Sequence, residues 1–323
     1  MINTRNVELA ITAGQSKQFP KNGITTVTGE ELFHPRKMIG PGEGYDAIVY
    51  LDYSQVELRV QALYTILVGH PDTNLCRAYM PYNCVDPDGN LFDYTNPSHI
   101  SNWHGEWYYQ EDPTVHWEPT DVHGATTEKA TGLTKKDPEF KTLRSVIGKR
   151  VNFAKNYGAQ YRKIREMFPD KTEEEVRRID EAYYQAFPGV KEYHSYCYAR
   201  AQEFACTGNL FGINYYGLSG HKLINTLVQG SSAFFLKWKI KQVSDYLKKN
   251  NLKSRFQMNI HDELSFEYHR DDDPAIFFDI KNIMQSWDDT LVPIVAEMEV
   301  TTTTWAEKKG VETLEQLQAR LGS

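Results

Sequence analysis

Apolar and polar positions alternate along this chain in stretches of different period. Residues 46–52 are almost continuously apolar up to Asp52, the pattern of a buried strand, and Gln55 to Val68 follows with helical spacing. Far downstream, Met258-Asn-Ile-His-Asp-Glu-Leu-Ser-Phe-Glu267 is strand-like, breaks at His261-Asp262-Glu263 and resumes at Leu264 and Phe266. This predicts a strand–turn–strand within 256–267. Between these landmarks the pattern is mainly helical. A helix is expected from Lys141 through Tyr157 with Gly158 as its stop. Another starts at Thr172, where Glu175 completes a capping signature, and runs to about Phe187, where Pro188-Gly189 breaks it. Further helices are expected at Val190–Phe204, Ile224–Lys249 and 273–288, with a hairpin in 208–220 and a last strand at 293–300. Residues 1–45 read as irregular with short β-like pieces such as Ile24–Val27. Residues 80–120, crowded with Pro, Asn, Asp, Trp and Tyr, read as a loop-like insertion.

At 323 residues the chain can bury a substantial core. With 40% hydrophobic and 24% charged residues and no apolar run long enough for a bilayer, it reads as a soluble protein without a membrane partner. The cysteines Cys76, Cys84, Cys197 and Cys206 lack metal-ligand spacing and are expected to be reduced thiols in a cytoplasmic protein. A net charge of −7 argues against nonspecific coating of nucleic acid, but a local basic groove is compatible with it. Lys and Arg concentrate between Lys129 and Arg165, and acids at 86–122 and 262–289.

Two carboxylates between apolar flanks face either a cation or a proton-transfer task; an ordinary polar turn is the alternative. A second carboxylate directly after a strand, Asp52, changes the picture. Two Mg²⁺ ions about 3.5–4 Å apart, bridged by carboxylates, are a common device for in-line displacement at phosphorus, and Mg²⁺ needs few carboxylates besides water and phosphate oxygens. Lys149, Phe153 and Tyr157, spaced i, i+4, i+8, share one helix face. That face could grip a triphosphate, a sugar and a base pair in turn, or it could be a stripe facing the core.

Asp52-Tyr-Ser-Gln-Val-Glu-Leu-Arg59 resembles the first palm motif of the DNA polymerase I family (family A), and His261-Asp-Glu263 resembles its last. Lys149-Arg-Val-Asn-Phe-Ala-Lys-Asn-Tyr-Gly158 is similar to the family's fingers helix. Phe187-Pro-Gly-Val-Lys191, Leu210-Phe-Gly212, Val228-Gln-Gly-Ser-Ser232 and Glu299-Val…Trp305 follow in family order, so the resemblance covers roughly 15–323. It implies an α+β right-hand polymerase with an antiparallel palm sheet and helical fingers, divided as 1–140 (first palm segment, with the insertion), 141–240 (fingers) and 241–323 (second palm segment). It also implies a template-directed DNA polymerase that adds dNMP to a primer 3′-OH with two Mg²⁺ ions, its partners being primer-template DNA and dNTPs. Asp52 and Asp262 would bind metal with the Tyr53 carbonyl, and Glu263 would support them near the primer end. Lys149, His123 and Arg144 would meet the triphosphate, Phe153 the sugar and Tyr157 the nascent pair. Glu57 would crowd the 2′ position, with Gln55 also at the nucleotide. Gln229, His261 and Arg59 would contact DNA.

Three departures stand out. The family's arginine four residues before the fingers lysine is replaced by Ser145, and Arg144 lies about 100° away on a regular helix; Arg150 is a further cation on a neighbouring face. The Thr-Gly-Arg stretch expected before Gln18-Phe-Pro20 is absent, as are thumb and exonuclease sequences. The expectation is therefore a C-terminal part of a split or phage-type polymerase, in the host cytoplasm if phage-encoded, with a second polypeptide supplying the thumb and exonuclease. Trp103, Trp107, Tyr108 and Tyr109 of the insertion could contact DNA or that partner, or simply pack on themselves. The competing functions are a single-subunit RNA polymerase, which Glu57 disfavours, and a non-catalytic palm-fold subunit of a replication complex.

Overall fold

The computed structural model describes residues 34–322 apart from 82, 94–95, 97, 100–105, 204–205 and 288–289. It also describes the backbone of Ile24–Thr25 and Glu31–Phe33, which pair antiparallel. The chain forms two compact units: the described parts of 1–54, 238–286 and 296–323 make one, and those of 55–237 and 287–295 the other. These units do not coincide with the segments 1–140, 141–240 and 241–323. The reason is that helix Val56–Leu67 and the residues after it share a core with the helices of 140–202, through side chains such as Leu63, Tyr79, Val151, Ile179 and Val190.

The first unit is built on a five-stranded antiparallel sheet in the order Lys309–Val311, Ala296–Thr301, Ala47–Tyr53, Glu263–Tyr268, Arg255–Ile260. Val49, in the central strand, faces Phe266 on one side and Val300 on the other; Leu51 faces Leu264 and Met298. Because strand side chains alternate, these apolar residues share one face of the sheet. Helix Ile276–Gln285 covers it, with Phe277 6.2 Å from Phe266 and 5.9 Å from Tyr268, ring centre to ring centre. The alternate register positions are polar: Asp52 lies opposite Glu263 and Glu297, and Tyr50 opposite Ser265 and Glu299. A slip of one residue would exchange the faces, so apolar burial of about 1.5–3 kcal/mol per large side chain sets which way Asp52 points.

In the second unit, helix Glu173–Ala186 opens with the expected capping box: the Glu175 amide donates to Thr172 Oγ1 and the Thr172 amide to Glu175 Oε2. Pro188-Gly189 ends that helix as expected, its last residue being Ala186, and also begins the next one, Pro188–Gln202, two residues before the expected Val190. Proline is tolerated there because the first helical amides have no intrahelical partner, and the Gly189 amide donates to Asp72 Oδ2 at 2.8 Å. The insertion is more ordered than its composition implied. Cys84–Val85, Trp107–Tyr109 and Asp112–Trp117 form a three-stranded sheet over Cys84, Trp107 and Trp117. Trp107 is buried in that core and Tyr108 and Tyr109 are half-buried, whereas Trp103 lies outside the described residues. Strand Lys309–Val311 and helix Leu314–Leu321 went unread in the sequence. The helix is capped by Thr313, which accepts from the Gln316 amide, and its one buried residue is Leu317. The cysteines are free thiols, and no described helix is long and apolar enough to cross a membrane.

Candidate active site

The carboxylates of the first unit are placed by its sheet. Strands Arg255–Ile260 and Glu263–Tyr268 are joined by the two-residue turn His261-Asp262, with His261 at φ +58°. A left-handed residue in a two-residue turn keeps the strands' twist and costs a non-glycine residue strain. The turn is stitched to the central strand by the Tyr53 amide, which donates to the Asp262 carbonyl at 3.2 Å. Tyr53 Oη donates to the Met284 carbonyl at 2.9 Å, anchoring the strand end beside Asp52. Asp52, Asp262 and Glu263 therefore line one cleft of about 420 Å³ with Arg36, His261, Glu299, Trp305 and Lys308.

Burial, reinforced by Asp262 and Glu263, pushes Asp52 up to about 7. Burial also raises Asp262 and Glu263, with Lys308 opposing the shift of Glu263. Carboxylates raised by burial, with Asp52 raised further by its two neighbours, favour a bound cation. Among the described residues no cluster of three or more His, Cys, Asp or Glu forms a protein-only metal cage. Two aspartates that rely on water and substrate oxygens for their remaining ligands fit Mg²⁺ chemistry.

In the second unit, the expected helix of 141–157 contains an irregularity. Phe140–Leu143 and Arg150–Asn156 are α-helical, but Arg144–Lys149 is a π-helix. Its i→i+5 bonding accommodates one extra residue per turn, which offsets the one-residue displacement of Arg144 relative to Lys149. Lys149 and Tyr157 are exposed and Phe153 is half-buried, while Val151, Asn152, Lys155 and Asn156 are buried. The Lys149–Phe153–Tyr157 face is thus not the core stripe of the alternative reading. Lys149 Nζ lies 5.9 Å from the Phe153 ring centre.

Helix Val122–Thr131 is drawn against the π segment at Gly148, where a β-carbon would come within 2.1 Å of the His123 carbonyl. Asp121 caps that helix through the Gly124 amide at 3.0 Å and takes the Arg144 guanidinium at 2.7 and 2.8 Å. His123 is 7% exposed and 5.8 Å from Phe153. Burial first, then Arg144 and Lys149, lower it to about 4 against the pull of Asp121. The Asn152 amide donates to His123 Nδ1 at 3.1 Å and to the Val122 carbonyl at 2.8 Å, so the neutral ring carries its proton on Nε2. Asp121, Gly148 and Asn152 were given no role in the sequence. Only Asp121 had a local signal, its cap spacing before Gly124.

Tyr157 Oη donates to Glu57 Oε2 at 2.7 Å, and Tyr79 Oη to Gln55 Oε1 at 3.2 Å. Gln55 itself is exposed and left-handed at φ +54°. Gln229 and His261 are exposed, each in its own unit. Arg59 corrects an expectation. It is 1% exposed, donates to the Pro293 carbonyl at 2.7 Å and lies 4.5 Å from the Tyr79 ring centre, so it supports the core and has no open path to DNA. Arg150 is likewise engaged, with the Met167 carbonyl and the Phe168 ring.

The sequence model of DNA polymerase family A matches residues 6–307. The chain belongs to DNA polymerase family A. DNA polymerase I of Helicobacter pylori (strain J99) is 29% identical over 208 residues, 59% of this chain and 22% of that protein. DNA polymerase I of Caldicellulosiruptor bescii is 28% identical over 195 residues, 55% of this chain and 22% of that protein. The chain thus spans about a fifth of the length of these relatives. The polymerase domain of Pol1 from M. smegmatis, solved with DNA primer-template and dNTP, shares the fold. Its TM-score is 0.61 at 21% identity, covering 84% of this chain and 42% of that one. The α+β architecture expected of a family A palm and fingers is therefore present.

Proposed function

We propose that this chain carries the catalytic core of a template-directed DNA polymerase, adding dNMP to a primer 3′-OH. The observation that carries the reading is the cleft in which Asp52 and Glu263 face each other across paired strands, with Asp262 at the adjoining turn and Asp52 pushed up to about 7. Asp52, Asp262 and the Tyr53 carbonyl would hold divalent metal, Mg²⁺ by the hardness of its ligands. Two such ions, when bound, make the 3′-OH a better nucleophile and stabilise the leaving pyrophosphate.

The remaining roles belong to the chain's own groups. Lys149 and Arg144 present cations to a triphosphate, and neutral His123 offers Nε2–H to a phosphate oxygen. Phe153 packs on the sugar, and Tyr157 borders the nascent pair while holding Glu57 where a 2′-hydroxyl would enter. Arg144 reaches a phosphate by leaving Asp121, an exchange of one anion for another that preserves its charge pairing. Gln229 and His261 stay assigned to DNA, the unit of 1–54, 238–286 and 296–323 to the palm sheet, and the unit of 55–237 and 287–295 to the fingers helix.

Primer extension with Mg²⁺ and dNTPs, beside an Asp262→Ala control, tests the reading. Extension lost in the control supports it, and extension that survives in Asp262→Ala overturns it. Incorporation of NTPs in preference to dNTPs would favour an RNA polymerase instead.

A further inference from the structure

Lys308 is the residue immediately after the family A match, which ends at 307, yet its ammonium group lies within the carboxylate cleft. Nζ pairs with Glu263 Oε2, is 2.6 Å from Glu299 Oε2 and sits 4.8 Å from the Tyr50 ring centre. The lysine side chain is 14% exposed and that of Glu263 9%, so this is not a solvent-screened surface pair. Backbone on both sides holds the lysine in place. Before it, Trp305 is buried and stacks on Tyr50 at 6.1 Å. After it, Lys309–Val311 pairs with the strand that carries Glu299.

The charge balance gives this contact a consequence. Glu263 stands opposite Asp52 in the sheet, a spacing of about 5 Å between β-carbons. Released from Lys308, it would be a third carboxylate beside the aspartate pair and would compete for the same cation. Arg36, the other cation lining the cleft, lies 4.1 Å from the Trp305 ring centre.

We propose that Lys308 is a positioning residue that ties Glu263 and Glu299 together and keeps them out of the metal site, leaving divalent metal to Asp52 and Asp262. The inference rests on the polymerase reading of this cleft.

The test measures Mn²⁺ binding to the full chain by electron paramagnetic resonance and calorimetry without nucleotide, together with primer extension as a function of Mg²⁺. With one positive charge removed and Glu263 freed, Lys308→Met should bind Mn²⁺ about tenfold more tightly. It should lose about tenfold in kcat at saturating Mg²⁺ with the KM for dNTP within about twofold, and Lys308→Arg should restore both. Unchanged Mn²⁺ affinity in folded Lys308→Met overturns the proposal. If that variant does not fold, Glu263→Gln in the otherwise native chain decides: Mn²⁺ affinity within about twofold of the parent supports the proposal, and a tenfold loss overturns it. Asp262→Ala runs alongside. If it retains full Mn²⁺ affinity, the aspartate-pair reading fails, whatever Lys308 does.

Discussion

In the sheet of the first unit, burial and neighbouring carboxylates push Asp52 upward; on the helices of the second, burial and neighbouring cations push His123 downward. Perturbed groups of this kind mark candidate functional sites; in the reading proposed above the first would take divalent metal and the second a polyphosphate. The frameworks differ as well. A sheet register places the carboxylates, whereas a π segment and a close glycine contact place the cations.

The largest expected effect is on the acidic side. Asp52→Ala and Asp262→Ala should each lower primer extension by about 10³-fold or more, since metal electrostatics contribute several kcal/mol. Loss of less than tenfold would remove these residues from catalysis. Next, two lysines of one helical stretch should separate function from folding. Lys155 is 2% exposed and 2.6 Å from Asp180, so Lys155→Met should cost about 3–5 kcal/mol in denaturant unfolding by leaving that carboxylate without its cation. Exposed Lys149→Met should cost less than about 1 kcal/mol while raising the KM for dNTP.

Protons should act on the two regions in opposite directions. The folded-state pKa of Asp52 lies above its ordinary value of 3.8, so in metal-free protein its contribution is fully present below about pH 4. It is lost as pH rises toward 7, on the order of 4 kcal/mol. His123 is depressed from 6.5 to about 4. Its contribution is present above about pH 6.5 and is lost as pH falls toward 4, on the order of 3 kcal/mol. Urea unfolding in chelator across pH 4–8 checks both: Asp52→Asn should flatten the decline toward high pH, and His123→Gln the decline toward low pH. A variant that leaves its slope intact breaks the comparison on that side. The smallest effect concerns Tyr157→Phe, which removes the exposed hydrogen bond to Glu57. It should change stability by less than about 1 kcal/mol and raise ribonucleotide incorporation a few-fold.

Much of this was readable in the residues. The apolar run into Asp52, the break at His261-Asp262 and the Thr172–Glu175 capping box are local signals, and their elements formed within a few residues of expectation. Where reading failed, a distant partner intervened. The helix after the Pro188-Gly189 break starts two residues earlier than read, where the Gly189 amide meets Asp72, and the insertion became a small sheet because Cys84, Trp107 and Trp117 bury one another. Arg59 belonged to a recognisable motif, but the core around Tyr79 and Pro293 claimed it.

The sequence by itself determined which residues can carry charge and chemistry, the order of the family's motifs, and the period of most elements, because these depend on residues near one another in the chain. Only the tertiary structure decided that Asp52 stands beside Glu263, that Arg144 is brought back toward the register of Lys149, and that Lys308 enters the carboxylate cleft. Strand register, an extra residue in a helical turn and an ion pair between residues 45 positions apart arise from packing and electrostatics across the fold, which no local pattern encodes.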